Sequence, residues 1–150
     1  MDRGHASIVF CQPLIGDLIS DIFLADDWTT ALVPLCSDSE AALAQLEQER
    51  PKLIATEFEP AYGESLVRLV RAVRSSERLG HVPILLSRYR GDSVARVAPV
   101  LEAGPWAIMT RPYSVDDFLL VADYLVSPRY RAREADLPGN LTPSVVWLGG

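Results

Sequence analysis

Only two cysteines, Cys11 and Cys36, and two histidines, His5 and His81, occur in 150 residues. Neither type shows CxxC or Cys/His metal spacing, which argues against a zinc site and a disulfide framework and leaves two reduced thiols as the expectation. Cys11 closes an apolar run and is expected to pack at a strand end. No apolar run approaches the ~20 residues needed to cross a bilayer. The opening MDRGHASIVF lacks the long apolar stretch of a signal peptide, so a cytoplasmic location is expected. A surplus of positive charge is missing too: 14 Lys and Arg face 20 Asp and Glu, for a net charge of -6. That balance works against a general grip on nucleic acid or anionic lipid. There is no Ser/His/Asp or Cys/His constellation, no Walker loop and no GxGxxG. The chain is therefore expected to be no enzyme, with no catalytic residue, no metal and no cofactor.

What is present is enough apolar material for one core: 49% hydrophobic against 23% charged residues. Ser7 to Phe10 is a short apolar run that reads as a buried strand. Leu14, Leu18, Ile22 and Ile15, Ile19, Phe23 then recur at spacings of four, an amphipathic helix with Pro13 suited to its first turn. Ala31 to Leu35 is a second strand, whose Pro34 suggests a sheet edge. Ser37 or Ser39 can cap a helix through Ala42, Leu43 and Leu46 that ends before Pro51. Leu53 to Thr56 is a third strand, apolar on both faces, and Leu66, Leu69, Val70 and Val73 mark the helix after Gly63. Val82 to Leu86 is a fourth strand, followed by a helix capped at Asp92 or Ser93 and running to Gly104. Trp106 to Met109 is a fifth, and Ser114 to Asp117 resembles a capping box, with Asp117 in place of the usual Glu, that opens a last helix to about Val126.

Short apolar strands alternating with amphipathic helices imply an α/β fold of βαβ units around a parallel sheet covered on both faces. Right-handed crossovers then favour a doubly wound, five-stranded, flavodoxin-like sheet of order 2-1-3-4-5. Functional residues of such a sheet lie beyond the carboxyl ends of its strands. Here those are Phe10 to Pro13, Thr56 to Pro60, Ser87 to Arg90 and Thr110 to Pro112. Residues 1–126 read as one domain and 127–150 as a C-terminal extension, not a further βα unit.

Ala103-Gly104-Pro105, a short strand, and Thr110-Arg111-Pro112-Tyr113 resemble the receiver (CheY-like) domain of two-component response regulators. That family typically has Ala-Gly-Ala, a strand and Thr-Lys-Pro-Phe there. Arg50 to Glu57 with Pro60 and Gly63 resembles the stretch that normally ends in the phosphorylated aspartate. His81 to Ser87 resembles the fourth strand with its terminal hydroxyl. The resemblance covers about residues 6–126, and it implies a degenerate site, a pseudo-receiver. Where the family holds Mg²⁺ on an acidic pair, this chain has Phe10-Cys11-Gln12, and Asp17 lies too far into the first helix to substitute. Mg²⁺ needs oxygen ligands, and phosphoryl transfer depends on its charge. Glu57 best matches the phospho-acceptor, with Thr56 the match if the alignment slips by one. Arg111 matches the family lysine, and its planar fork suits a bidentate carboxylate. A Glu57–Arg111 ion pair is therefore expected; otherwise Glu57 is a solvated loop acid worth ~0–1 kcal/mol in an exposed pair. Ser87 keeps the switching hydroxyl, and Ile108 replaces the aromatic that usually follows it. The family usually has a cis bond before the proline matched by Pro112.

These features imply an atypical stand-alone receiver protein of two-component signalling. It is expected to escape phosphorylation and to act by protein contact, on a histidine kinase, a downstream regulator or a second copy. Leu120 and Tyr124, spaced i to i+4 on the last helix, are the candidate interaction face. One alternative is a cyclic-dinucleotide effector using Arg88, Arg90, Arg111, Arg129, Arg131 and Arg133. Another is a phosphorylatable response regulator accepting on Thr56, Glu57 or Glu59. Val145-Val146-Trp147-Leu148 is too apolar for a purely solvated tail, and is expected to fold back onto its own domain or swap onto a neighbour's.

Overall fold

The computed structural model describes residues 3–35 and 39–127, and the backbone of 145–149. Cys36 and Ser37, and with them one candidate helix cap, lie outside the described residues, as do Arg129, Arg131 and Arg133. The elements run β1 (Gly4–Phe10), α1 (Pro13–Leu24), β2 (Trp28–Pro34), α2 (Ser39–Glu49), β3 (Leu53–Glu57) and α3 (Gly63–Ser75). They continue as β4 (Ile84–Tyr89), α4 (Ala98–Leu101), β5 (Trp106–Arg111), α5 (Val115–Val126) and β6 (Val145–Gly149). The sheet order is β2-β1-β3-β4-β5-β6, with the first five strands parallel in the expected order 2-1-3-4-5. β2 is an edge strand, as Pro34 suggests. β6 pairs antiparallel with β5, so residues 145–149 fold back onto the sheet.

Strand alternation divides the core into two layers. Val9, Ile54, Leu86 and Ile108 face α2, α3 and α4, together with Leu46, Leu66, Leu69 and Val70. Ile8, Ala55, Leu85, Ala107 and Met109 face α1 and α5, with Ile19, Phe23, Phe118 and Val121. Phe23 meets Trp28 and Phe118 edge-on at centroid distances of 5.2 and 5.3 Å, a geometry favoured by the aromatic quadrupole. Ser114 caps α5 as expected, accepting a hydrogen bond from the Asp117 backbone N–H at 3.0 Å.

One expectation needs correction. The fourth helix does not run from Asp92 or Ser93 to Gly104; α4 is a single turn, Ala98–Leu101. Pro99 explains this, because in a helix starting at 92 it would lie in the interior, where it removes a backbone bond and clashes with the preceding turn. Starting at Ala98 places it in the first turn instead. On α5, Leu120 and Tyr124 are half-buried and so partly outward, and Tyr124 packs against the α1/α5 core layer. On α5 the buried face is formed by Asp117, Phe118, Val121, Ala122 and Leu125, and positions 120 and 124 fall on its flank. The strongly exposed large apolar residues lie elsewhere, foremost Leu14 (82%) and Leu24 (54%).

Arg74, near the end of α3, fixes the opposite end of the sheet. Its guanidinium donates to the carbonyls of Leu101 (3.0 Å), Gly80 (3.2 Å), Val82 (2.7 Å) and Pro105 (2.7 Å). A Cβ on Gly104 would stand 2.6 Å from Arg74 Nη1 and 2.7 Å from the Gly80 oxygen, so this approach requires glycine at 104. The turns entering β4 and β5 are thereby tied to one side chain.

Candidate functional site

Residues two apart on a strand share a face, so Glu57 follows Leu53 and Ala55, Ser87 follows Leu85, and Arg111 follows Ala107 and Met109. All three emerge at the carboxyl ends of their strands on the α1/α5 side. Register reinforces this, since Glu57 is opposite Ser87 and Tyr89 is opposite Arg111.

Arg111 and Glu57 form a bidentate pair: Nε donates to Oε1 at 2.9 Å and Nη2 to Oε2 at 3.0 Å. The Glu57 side chain is 2% exposed and that of Arg111 20%, so Glu57 is not a solvated loop acid. Burial alone would lower the Arg111 pKa, but the hydrogen bonds and negative charge of Glu57 outweigh it and leave the guanidinium above its ordinary value. The Arg111 guanidinium carbon also lies 5.0 Å from the centre of the Tyr113 ring and 5.7 Å from that of Tyr89, within cation–π range. The Arg111-Pro112 peptide is cis.

Tyr113 was not singled out by the sequence pattern, although it stands where the resembling family has phenylalanine. Its hydroxyl lies 2.5 Å from Ser87 Oγ, and its ring stacks on Phe118 at 5.6 Å. Ile108, which stands in place of the aromatic that usually follows the switching hydroxyl, is fully buried on the other face of the sheet. The tyrosine hydroxyl was the available signal, but its partner is distant in sequence. Burial pushes the Tyr113 hydroxyl above its ordinary pKa, while the Ser87 hydrogen bond and the Arg111 charge pull it down. A raised pKa means that the fold favours the neutral phenol. The stability it contributes is complete below the ordinary tyrosine value of about 10 and is lost as pH rises through the folded value. In an alkaline titration followed at 295 nm, one tyrosinate should form later than the rest. It should be missing in Tyr113→Phe; an unchanged curve would contradict the assignment.

At the end of β1, Phe10 and Cys11 are half-buried and Gln12 is exposed. The Phe10 ring rests against the backbone of α1: a Cβ on Gly16 would stand 2.8 Å from Phe10 Cγ. Cys11 packs at the rim of the core, as a strand-end residue should. Asp17 is exposed on α1, and Thr56 is buried beside Glu57. Among the described residues, no three His, Cys, Asp or Glu side chains converge as a metal would require. An aromatic ring, a thiol and an amide, beside a carboxylate whose two oxygens are both engaged by Arg111, do not fit Mg²⁺.

Of the arginines considered for a phosphate ligand, Arg88 donates to Thr110 Oγ1 at 3.1 Å and to the Asp92 carbonyl at 3.1 Å. Arg90 is exposed. Beside the site a cleft of about 380 Å³ opens between the start of α3 and the β4–α4 loop, floored by Phe58, Val67 and Val97. An ion pair between Glu64 and Arg96 stands at this cleft. Hydrogen bonding from Arg96 holds the Glu64 carboxyl below its usual range.

No protein-family model matches the sequence, and no curated protein matches it. Solved structures do. The receiver domain of a signal transduction histidine kinase from Syntrophus aciditrophicus superposes with a TM-score of 0.64 at 21% identity, over 87% of this chain and 96% of that one. The Vibrio cholerae chemotaxis protein CheY4 gives 0.63 at 18% identity, over 81% and 97%. The fold is that of a response-regulator receiver domain. NtrX from Brucella abortus, solved in complex with ADP, gives 0.65 at 18% identity over 84% of this chain. The chain spans only 26% of that NtrX, so the receiver fold matches one part of a longer protein. Among the described residues, no helix is long and apolar enough to cross a membrane.

Proposed function

We propose that this chain is a signalling module of the receiver fold that takes no phosphoryl group and acts by contact with another protein. It is not an enzyme. The observation that carries this reading is the bidentate Glu57–Arg111 pair at the ends of β3 and β5. Glutamate extends its carboxylate one methylene further than aspartate, and here both oxygens are already bound by the fork that stands in for a lysine. The charge that phosphorylation would deliver is thus permanent, and its cation is already engaged. Phe10 over Gly16 supplies packing where an acidic pair would supply metal ligands. Ser87 is held by Tyr113 and is not left to follow an incoming phosphate. Such a site holds one state, and partners read its surface without a phosphorylation step.

Beryllofluoride with Mg²⁺, which imitates an acyl phosphate on an aspartate, tests this. The amide resonances of residues 56–60 and 87–90 should be unchanged on titration. A saturable shift confined to those loops, dependent on both beryllofluoride and Mg²⁺, would sink the proposal.

A further inference from the structure

The two edges of the five parallel strands are protected differently. β2 carries Pro34, and Thr29, Leu32 and Pro34 are all open to solvent. Proline and exposed side chains blunt an edge against pairing. β5 has no such protection: Trp106, Ala107, Ile108 and Met109 are all buried, on both faces of the strand, with no proline or charge among them. An unprotected strand of this kind presents a row of backbone donors and acceptors as a template for another strand.

In this structure the template is occupied by the chain's own residues 145–149, antiparallel in an otherwise parallel sheet, with Ala107 opposite Leu148 and Ile108 opposite Trp147. α5 returns to the amino end of β5, whereas β6 starts opposite Met109 near its carboxyl end. Residues 128–144 need therefore cover little more than the height of the strand, about 10–15 Å at ~3.3 Å per residue. A connection of that length can extend to ~55 Å. Its slack is ample to reach the same edge on another molecule.

We propose that the β5 edge is a strand-acceptor site whose partner is a second copy of this chain, lending its residues 145–149 in place of the resident ones. Exchange conserves the pairing, because the same residues meet in the same register. The tethered strand competes at an effective concentration on the order of millimolar, so the closed monomer dominates at ~10 µM and exchanged dimer accumulates toward ~1 mM. This inference is independent of how the Glu57–Arg111 site is read.

The test uses full-length chains in which Cys11 and Cys36 are replaced by alanine. One carries Ala107→Cys, another Leu148→Cys, and a third both. Under oxidation the third should close within one chain at ~10 µM, while a mixture of the first two at ~1 mM should yield a covalent heterodimer joining 107 to 148. A mixture that never cross-links, with the double variant closing internally at every concentration, would overturn the exchange. So would a double variant that forms no bond at all, since the edge would then not hold this strand. Sedimentation of the unmodified chain gives a readout free of core substitution. Dimer should appear toward ~1 mM and be lost in Trp147→Pro, which removes a ladder donor; a monomer throughout contradicts the proposal.

Discussion

Replacing Arg111 by methionine in the full-length chain should destabilise it by about 3 kcal/mol, the lower part of the range for breaking a buried ion pair. The cost comes from what is left behind. Glu57 would keep a carboxylate that is 2% exposed, with neither oxygen bound by the fork that now holds both. Partial access of water at Arg111 keeps the loss away from the upper end. For a chain of this length, the melting temperature should fall by roughly 10 °C. Glu57→Gln with Arg111→Met should be less damaging than Arg111→Met alone, because the stranded charge is gone. Thermal or urea unfolding of both variants checks the pair. A loss below about 1 kcal/mol in the single variant would mean that it behaves as an exposed surface contact.

A comparable or larger loss is expected at the opposite end of the sheet. Arg74→Met removes the side chain that donates to the carbonyls of Leu101, Gly80, Val82 and Pro105. Hydrogen bonds from a charged group contribute ~1.5–3 kcal/mol each and do not add fully, which puts the cost at about 4 kcal/mol. Arg74→Lys should recover little, since a single ammonium cannot reach carbonyls on both turns with the geometry of a fork. Gly104→Ala should damage the same point from the other side, because its Cβ would collide with the guanidinium and with the Gly80 carbonyl. Urea unfolding midpoints near wild type for Arg74→Met would show that the turns before β4 and β5 hold without it.

The parallel sheet was legible because buried strands write themselves as short apolar runs: Ile8-Val9, Leu53 to Ala55 and Trp106 to Met109 need no distant information. Pro34 even gave the edge. α4 was misjudged where a cap at Asp92 or Ser93 and a stop at Gly104 were read without weighing Pro99, a local signal that was present in the sequence. Spacing placed Leu120 and Tyr124 on the flank of α5, where they are half-buried, but how far a flank is covered depends on the neighbour it packs against. Within the site, the resemblance set Glu57 and Arg111 at matched positions, and residue chemistry then paired them, since a fork and a carboxylate at the ends of β3 and β5, the two strands flanking β4, select each other. The Ser87–Tyr113 contact and the return of residues 145–149 to β5 are long-range pairings, which no window of sequence contains.

The central claim is that a built-in carboxylate and its arginine occupy the place where a phosphoryl group would be received. Incubation of the full-length chain with acetyl phosphate and Mg²⁺, followed by intact mass spectrometry at neutral pH, measures this directly. The account predicts an unmodified mass at every time point. A labile phosphoryl adduct mapping to Thr56, Glu57 or Glu59 would contradict it.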